Sequence, residues 1–154
     1  MLSEQERHEI DAEIRMLPHK RMAVIEALKV VQRRKGWCSD DEVRDVAEYL
    51  AMSPAQVDSI ATFYAAIYRR PVGRHVILIC DSVSCWVTGY HGVLDHLKAR
   101  LGIDLGQTTA DGRFTLIPNA CLGVCEIAPA MMVDEDVHGN LTPGKVDEIL
   151  ARYE

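Results

Sequence analysis

No apolar run in this chain of 154 residues approaches the ~20 residues of a membrane-crossing helix. Its first residues, MLSEQERHEID, lack the apolar stretch of a signal peptide and are too acidic for a transit peptide. The expectation is a cytoplasmic protein with no direct membrane insertion. An excess of basic charge is missing too. The formal net charge is −6, which argues against sequence-independent nucleic-acid binding, where Lys and Arg must neutralise phosphates. There is no Gly-x-Gly-x-x-Gly and no Walker sequence, so no nucleotide site is read here. No Ser-His-Asp or Cys-His catalytic set is evident either. Glycine is scarce in one half alone: Gly36 is the single glycine of residues 1–70, and nine follow.

What is present describes an ordinary soluble globular chain, 48% apolar and 26% charged. Its length suits one domain, or one small domain with an appendage. The acidity is uneven, net −1 over residues 1–70 and −5 over residues 71–154. The charge and glycine shifts meet at Arg70-Pro71-Val72-Gly73. A domain boundary is therefore expected there, with helices before it and an α/β domain after it.

Three start signals punctuate the first part. Ser3 with Glu6, Ser39 with Glu42, and Ser53 with Gln56 each fit a capping box, in which Ser accepts from an orphan N–H and the residue three on reaches back. Pro54 stands at a first helical position, where its missing N–H costs nothing. Pro18 divides a first helix from a second over 19–35, which ends at Gly36. Met22, Ile25, Leu28 and Val31, with Val24 and Ala27, give that helix its apolar face. Helices this short must pack together to persist. No internal repeat or low-complexity run occurs.

After residue 70 the period changes. His75–Cys80 reads as a buried strand with Cys80 at its end. Tyr90–Leu101 reads as a helix with Val93, Leu94, Leu97 and Leu101 on one face. Residues 113–117 and 130–133 read as strands, with Pro118 opening a turn toward Cys121. A polar turn follows, with a short partner strand near 137–141, and Thr142-Pro143 opens a last helix. The order β-α-β-β-β-α suits a small α/β sandwich.

Four of the five cysteines form two tight pairs. Cys80 and Cys85 have four residues between them, Cys121 and Cys125 have three, and thirty-five separate the pairs. In a reducing compartment such clustering points to metal or redox chemistry rather than structural disulfides. Three readings stay open on spacing: a [2Fe–2S] cluster on four thiolates, a structural zinc ion, and a disulfide or unlinked thiols. Zinc knuckles favour Cys-x2-Cys, although longer spacings occur. Neither the thioredoxin Cys-x-x-Cys nor the plant-type Cys-x4-Cys-x2-Cys is present. The loops CDSVSCWVTG and NACLGVCEIAP contain no Lys or Arg. Gly123 allows main-chain N–H groups to approach sulfur. With Asp81 and Glu126 beside the cysteines, an added electron is disfavoured, so an iron–sulfur centre here is expected to have a potential well below Rieske centres.

These motifs resemble the thioredoxin-like [2Fe–2S] ferredoxins, and within them the member carried by bacterial NADH–quinone oxidoreductase, respiratory complex I. The resemblance rests on ATFYAAIYRRPVG (61–73), CDSVSCWVTGY (80–90), TTADGRFTL (108–116) and CLGVCEIAPAMMVDED (121–136). It implies an N-terminal helical bundle over 1–70 and a thioredoxin-like α/β domain with a mixed sheet over 71–154. It implies one [2Fe–2S] cluster held by Cys80, Cys85, Cys121 and Cys125. It also implies a larger flavoprotein partner that binds NADH and FMN, other peripheral-arm subunits, and a place on the cytoplasmic side of the bacterial inner membrane. This chain would be an electron carrier, with hydride chemistry on the partner's flavin. Two alternatives stand beside this: the equivalent diaphorase subunit of an NAD-linked hydrogenase or formate dehydrogenase, and a zinc-stabilised interaction module.

The remaining candidates are read more plainly. Cys38 is expected to be an ordinary thiol at a helix junction. Histidines 8, 19, 75, 91, 96 and 138 form no zinc-helix pair and are assigned surface or capping roles. Trp86 is expected to shield the centre, with partner anchoring as the second reading. Phe63, Tyr64, Ile67 and Tyr68 have helical spacing and are expected in a core. Asp134, Glu135 and Asp136 read as a solvated turn, because three consecutive acids cannot converge on one ion. Pro129 stands where thioredoxin-like folds can hold a cis proline, while the sequence default is trans.

Overall fold

The computed structural model describes residues 1–153. Spatial proximity divides the chain into two compact units, one over Met1–Pro71 and one from Val72 onward.

The first unit contains four helices: α1 (Glu4–Ile14), α2 (Val24–Lys35), α3 (Asp40–Leu50) and α4 (Pro54–Phe63). All three capping boxes are formed. Val24, Ala27, Leu28 and Val31 of α2 bury one stripe against Ile10, Val46, Leu50 and Val57. The expected helix over 19–35 is in fact two elements. A 3-10 turn over Lys20–Ala23 precedes α2, and Met22 is exposed because that turn rotates it off the α2 stripe. Phe63 and Tyr64 also depart from expectation. The helix stops at Phe63, Tyr64 turns extended, and both rings face solvent, while Ile67 is buried. Arg69 anchors the segment that follows, donating to Asp58, Asp40 and the Cys38 carbonyl.

The second unit is a four-stranded mixed sheet in the order β2-β1-β3-β4. The strands are β1 (His75–Cys80), β2 (Phe114–Asn119), β3 (Met131–Val133) and β4 (Asp136–His138). β1 runs parallel to β2 and antiparallel to β3, which pairs antiparallel with β4. The parallel pairing needs a crossover, supplied by α5 (Val83–Thr88) and α6 (Tyr90–Leu101); α7 (Pro143–Leu150) closes the unit with Thr142 as its N-cap. Ile77, Ile79, Leu116, Met131 and Val133 share one core with Val93, Leu94 and Leu97 of α6 and Val146 and Ile149 of α7. Val76 and Leu78 alternate with these and are buried too.

Two strand-level expectations are corrected. Pro118 does not open the turn; it lies inside β2, paired with Ile79. Proline is tolerated there because the outer side of the edge strand β2 pairs with residues 106–109 only as far as Leu116, so its missing N–H interrupts no ladder. The stretch after Cys80 is not only a loop, since α5 interrupts it and makes the order β-α-α-β-β-β-α. Among the described residues no helix is long and apolar enough to cross a membrane.

Candidate metal centre

β1 and β2 end side by side, and their register places Cys80 opposite Asn119. The Asp81 N–H donates to the Asn119 carbonyl at 2.8 Å, which ties the two loop starts together. Two residues past Asn119 stands Cys121. Cys80 is also held on its other side, where its N–H donates to the Ala130 carbonyl at 3.1 Å. Parallel pairing thus delivers the first cysteine of each pair to the same end of the sheet.

Cys85 reaches that place from α5. The Trp86 N–H donates to the Ser82 carbonyl at 2.9 Å and closes the first turn of this short helix. Cys85 points inward, 2% exposed, into the core that also contains Cys80. Cys125 begins a 3-10 turn over Cys125–Ile127, and it and Cys121 face solvent. The turn leads into Ala128–Pro129, whose peptide bond is cis, unlike the trans default of the sequence. An X–Pro tertiary amide makes that isomer accessible, since it removes most of the trans preference.

The sulfurs act on one another. Burial pushes the Cys85 thiol up to about 11, opposed by a backbone N–H from Ala130, with Cys80 and Cys125 adding to the rise. The Cys121 thiol is held below its ordinary value. The Gly123 N–H is the main cause, and Ser82, Cys125 and Cys80 contribute. Cys85 therefore neighbours Cys80 and Cys125, and Cys121 neighbours Cys125 and Cys80. The four thiols thus interact across the two loops, and none of them is in a disulfide. Cys38 lies elsewhere, fully buried in the helical unit with its thiol donating to the Leu28 carbonyl at 3.4 Å.

This donor set fits a [2Fe–2S] cluster. It offers four soft thiolates, main-chain N–H donors at two sulfurs, and no Lys or Arg in either loop. Among the described residues no group of three or more His, Cys, Asp or Glu converges on a single ion position. A binuclear cluster does not ask for that, since its thiolates divide between two irons.

The surroundings add detail to the sequence reading. Trp86 is half exposed, with part of its ring open to solvent. Its Nε1–H donates to Asp81 at 2.5 Å, and its ring lies parallel to Tyr90 and edge-on to His91. Ser82 and Ala130 are contributors that the sequence does not reveal. Ser82 precedes a helix too short to give a periodic signal, and Ala130 acts through its backbone alone. Three of the other histidines have side-chain partners: His75 with Asp134, His96 with Asp147, and His138 with Tyr153.

Comparison with known proteins agrees with this geometry. The family model for thioredoxin-like [2Fe–2S] ferredoxins matches residues 10–154. The E-type subunit of the NADH-quinone oxidoreductase of Pseudomonas aeruginosa is 47% identical over 153 residues, covering 99% of this chain and 92% of that protein. Its counterpart in Escherichia coli strain K12 is 49% identical over 152 residues, with the same coverage of 99% and 92%. Among solved structures, an NAD+-reducing [NiFe]-hydrogenase superposes with a TM-score of 0.62 at 25% identity over 73% of this chain. This chain spans only 20% of that hydrogenase chain. A match over nearly the whole length, with the cysteine-bearing loops at one end of a mixed sheet, means that the chain belongs to the thioredoxin-like [2Fe–2S] ferredoxin family.

Proposed function

We propose that this chain is the electron-transfer subunit of an NADH:quinone oxidoreductase. Its cofactor is one [2Fe–2S] cluster, held by Cys80, Cys85, Cys121 and Cys125. It exchanges single electrons with the FMN of a partner flavoprotein subunit that binds NADH. The observation that carries this reading is the gathering of four mutually interacting thiols from two loops, with main-chain N–H donors at two of them. The choice of assembly is supported by 47–49% identity to the NADH-quinone oxidoreductase relatives over almost their full length.

When bound, a [2Fe–2S] cluster supplies a one-electron store. This chain's residues bind and tune it. Cys80 and Cys85 hold it on the buried side, and Cys121 and Cys125 hold it where the surface is open. N–H groups of Gly123 and Ala130 direct partial positive charge at sulfur and favour the thiolates. With no nucleotide motif in the chain, the hydride step belongs to the partner's flavin.

The chain works as one subunit of an oxidoreductase complex. Further parts of this proposal are the flavoprotein as its neighbour, its place among the peripheral-arm subunits, and its position on the cytoplasmic side of the bacterial inner membrane. So is the division of the chain into a helical bundle over 1–70 and a cluster-bearing domain over 71–154. The hydrogenase likeness favours a second reading, the diaphorase subunit of an NAD-linked hydrogenase or formate dehydrogenase. The partners that co-purify decide between them: quinone-reductase subunits, or a hydrogenase or molybdenum subunit.

The test is direct. The purified chain is expected to be brown, to show an S = ½ EPR signal after dithionite, and to leave NADH unoxidised by itself. A colourless zinc protein without that signal would mean a structural metal module. NADH oxidation by the pure polypeptide would place the nucleotide site here after all.

A further inference from the structure

We propose that the outward face of α5, formed by Val83, Trp86 and Val87, is where the flavin-bearing partner seats, through an apolar socket rimmed by Lys and Arg. This rests on the reading above that a flavoprotein exchanges electrons with the centre, and it assigns the surface that does so.

The three residues are spaced i, i+3 and i+4, so they share one face of the helix. They are 74%, 52% and 79% exposed. Cys85, on the opposite side of the same turn, is 2% exposed. Nothing local favours this arrangement. Val is a mediocre helix former, and two of them with a Trp on the solvent side of a six-residue helix gain nothing from water. A contiguous apolar patch rimmed by polar groups marks an interaction site.

Trp86 is set up as an anchor. Its single donor is already used on Asp81 at 2.5 Å, so the exposed part of the ring is purely apolar. The ring is steadied by Tyr90, with planes 9° apart and centroids 6.1 Å apart, and by the edge of His91 at 4.5 Å. A side chain fixed before binding loses little entropy on docking, and tryptophan dominates binding energetics where it is found.

Charge selects the occupant. Residues 75–97 and 114–144 contain no Lys or Arg. Asp81 and Glu126 border the centre, and the whole of residues 71–154 is net −5. A second copy would bring a like-charged face, and an anionic lipid surface would be repelled. A basic-rimmed protein surface is complementary. Because α5 carries Cys85 on its inward side, a partner seated on the outward face stands one helix thickness, roughly 10 Å, from that thiol.

The experiment measures binding of the cluster-loaded chain to the flavoprotein subunit of its oxidoreductase, with EPR of each variant as a control. Trp86→Ala and Val87→Glu are each expected to weaken binding about tenfold or more while leaving the EPR signal of the isolated chain unchanged. Asp81→Asn is expected to reduce the salt dependence of association. If Trp86→Ala disturbs the signal, Val87→Glu, on a side chain 79% exposed, decides alone. Variants that bind like the original chain would overturn the assignment of this face while leaving the proposed function intact. An original chain that does not bind the flavoprotein at all would overturn the function itself. An isolated chain that dimerises, and is made monomeric by Val87→Glu, would give the face to a second copy and end the proposal.

Discussion

The Gly123 N–H donates to the Sγ of Cys121 at 3.3 Å, within a loop that turns through φ +77° at Gly123. That backbone conformation favours glycine, and it aims the N–H at a sulfur rather than at a carbonyl. One small residue therefore sets both the course of the second ligand loop and the charge environment of its first thiol.

Gly123→Ala is expected to cost about 1–2 kcal/mol, the penalty of a side chain in the left-handed region. No atom lies within contact distance of the added Cβ, so the cost is conformational. The variant should load less iron and show a shifted EPR line shape. Iron per chain and EPR check this, and an unchanged spectrum at full loading would show that the loop keeps its course without glycine at this position.

Glu126 follows Cys125 in the same 3-10 turn and carries a negative charge beside the centre. Glu126→Gln is expected to raise the midpoint potential by on the order of tens of millivolts, as Coulomb's law gives for a nearby, partly screened charge. Redox titration followed by EPR measures it. The shift should shrink as salt is added.

Gly139 is buried, and a Cβ there would overlap the Ile127 side chain, standing 2.5 Å from its Cβ. Asn140, next in the chain, donates its N–H to the Ile127 carbonyl at 2.5 Å. Gly139→Ala must push the root of a side chain two residues past Cys125. The expected loss is about 1–3 kcal/mol, typical of overpacking, with faster release of iron to a chelator. Urea unfolding and chelation kinetics check the two effects separately.

Glu42 gives the helical unit a pH-dependent element. Burial alone would raise its carboxyl, but the Lys35 ammonium and the Ser39 hydroxyl and N–H outweigh it and hold the group at about 2, from an ordinary 4.5. The folded carboxyl ionises at lower pH than the unfolded one. Its contribution is therefore complete above pH 4.5 and is lost as pH falls toward 2. Glu42→Gln is expected to remove about 1–3 kcal/mol at pH 7 and to flatten the acid limb between those values. Circular dichroism melts across that range test it.

The fold is legible in the sequence where local chemistry and tertiary structure agree. β1, α6 and the three capping boxes stand where a short apolar run, apolar helical spacing and Ser-x-x-Glu or Ser-x-x-Gln place them. α5 escapes a sequence reading because six residues containing two Val and a Thr give no periodic signal; inward packing of Cys85 stabilises it. Pro118 reads as a turn because its exemption depends on β2 being an edge strand, a fact of topology alone. Phe63 and Tyr64 keep helical spacing in the sequence past the point where the helix ends. For the centre, the cysteine spacing singles out four candidate thiols, and the family resemblance proposes them as ligands. It cannot show that two are buried and two open, nor that Ala130 and Ser82 complete their surroundings, since those contacts join residues far apart in the chain.

The most direct measurement is iron and sulfide stoichiometry, with EPR of the dithionite-reduced protein, across five single Cys→Ser variants. In the original chain the account predicts about two irons and two sulfides per polypeptide, the composition of one [2Fe–2S] cluster. Loss or strong alteration of the signal is expected for Cys80→Ser, Cys85→Ser, Cys121→Ser and Cys125→Ser. Cys38→Ser should leave it untouched, because that thiol is fully buried in the helical unit and burial pushes it up to about 11. A Cys125→Ser variant with an unaltered signal, or a Cys38→Ser variant without one, would contradict the account.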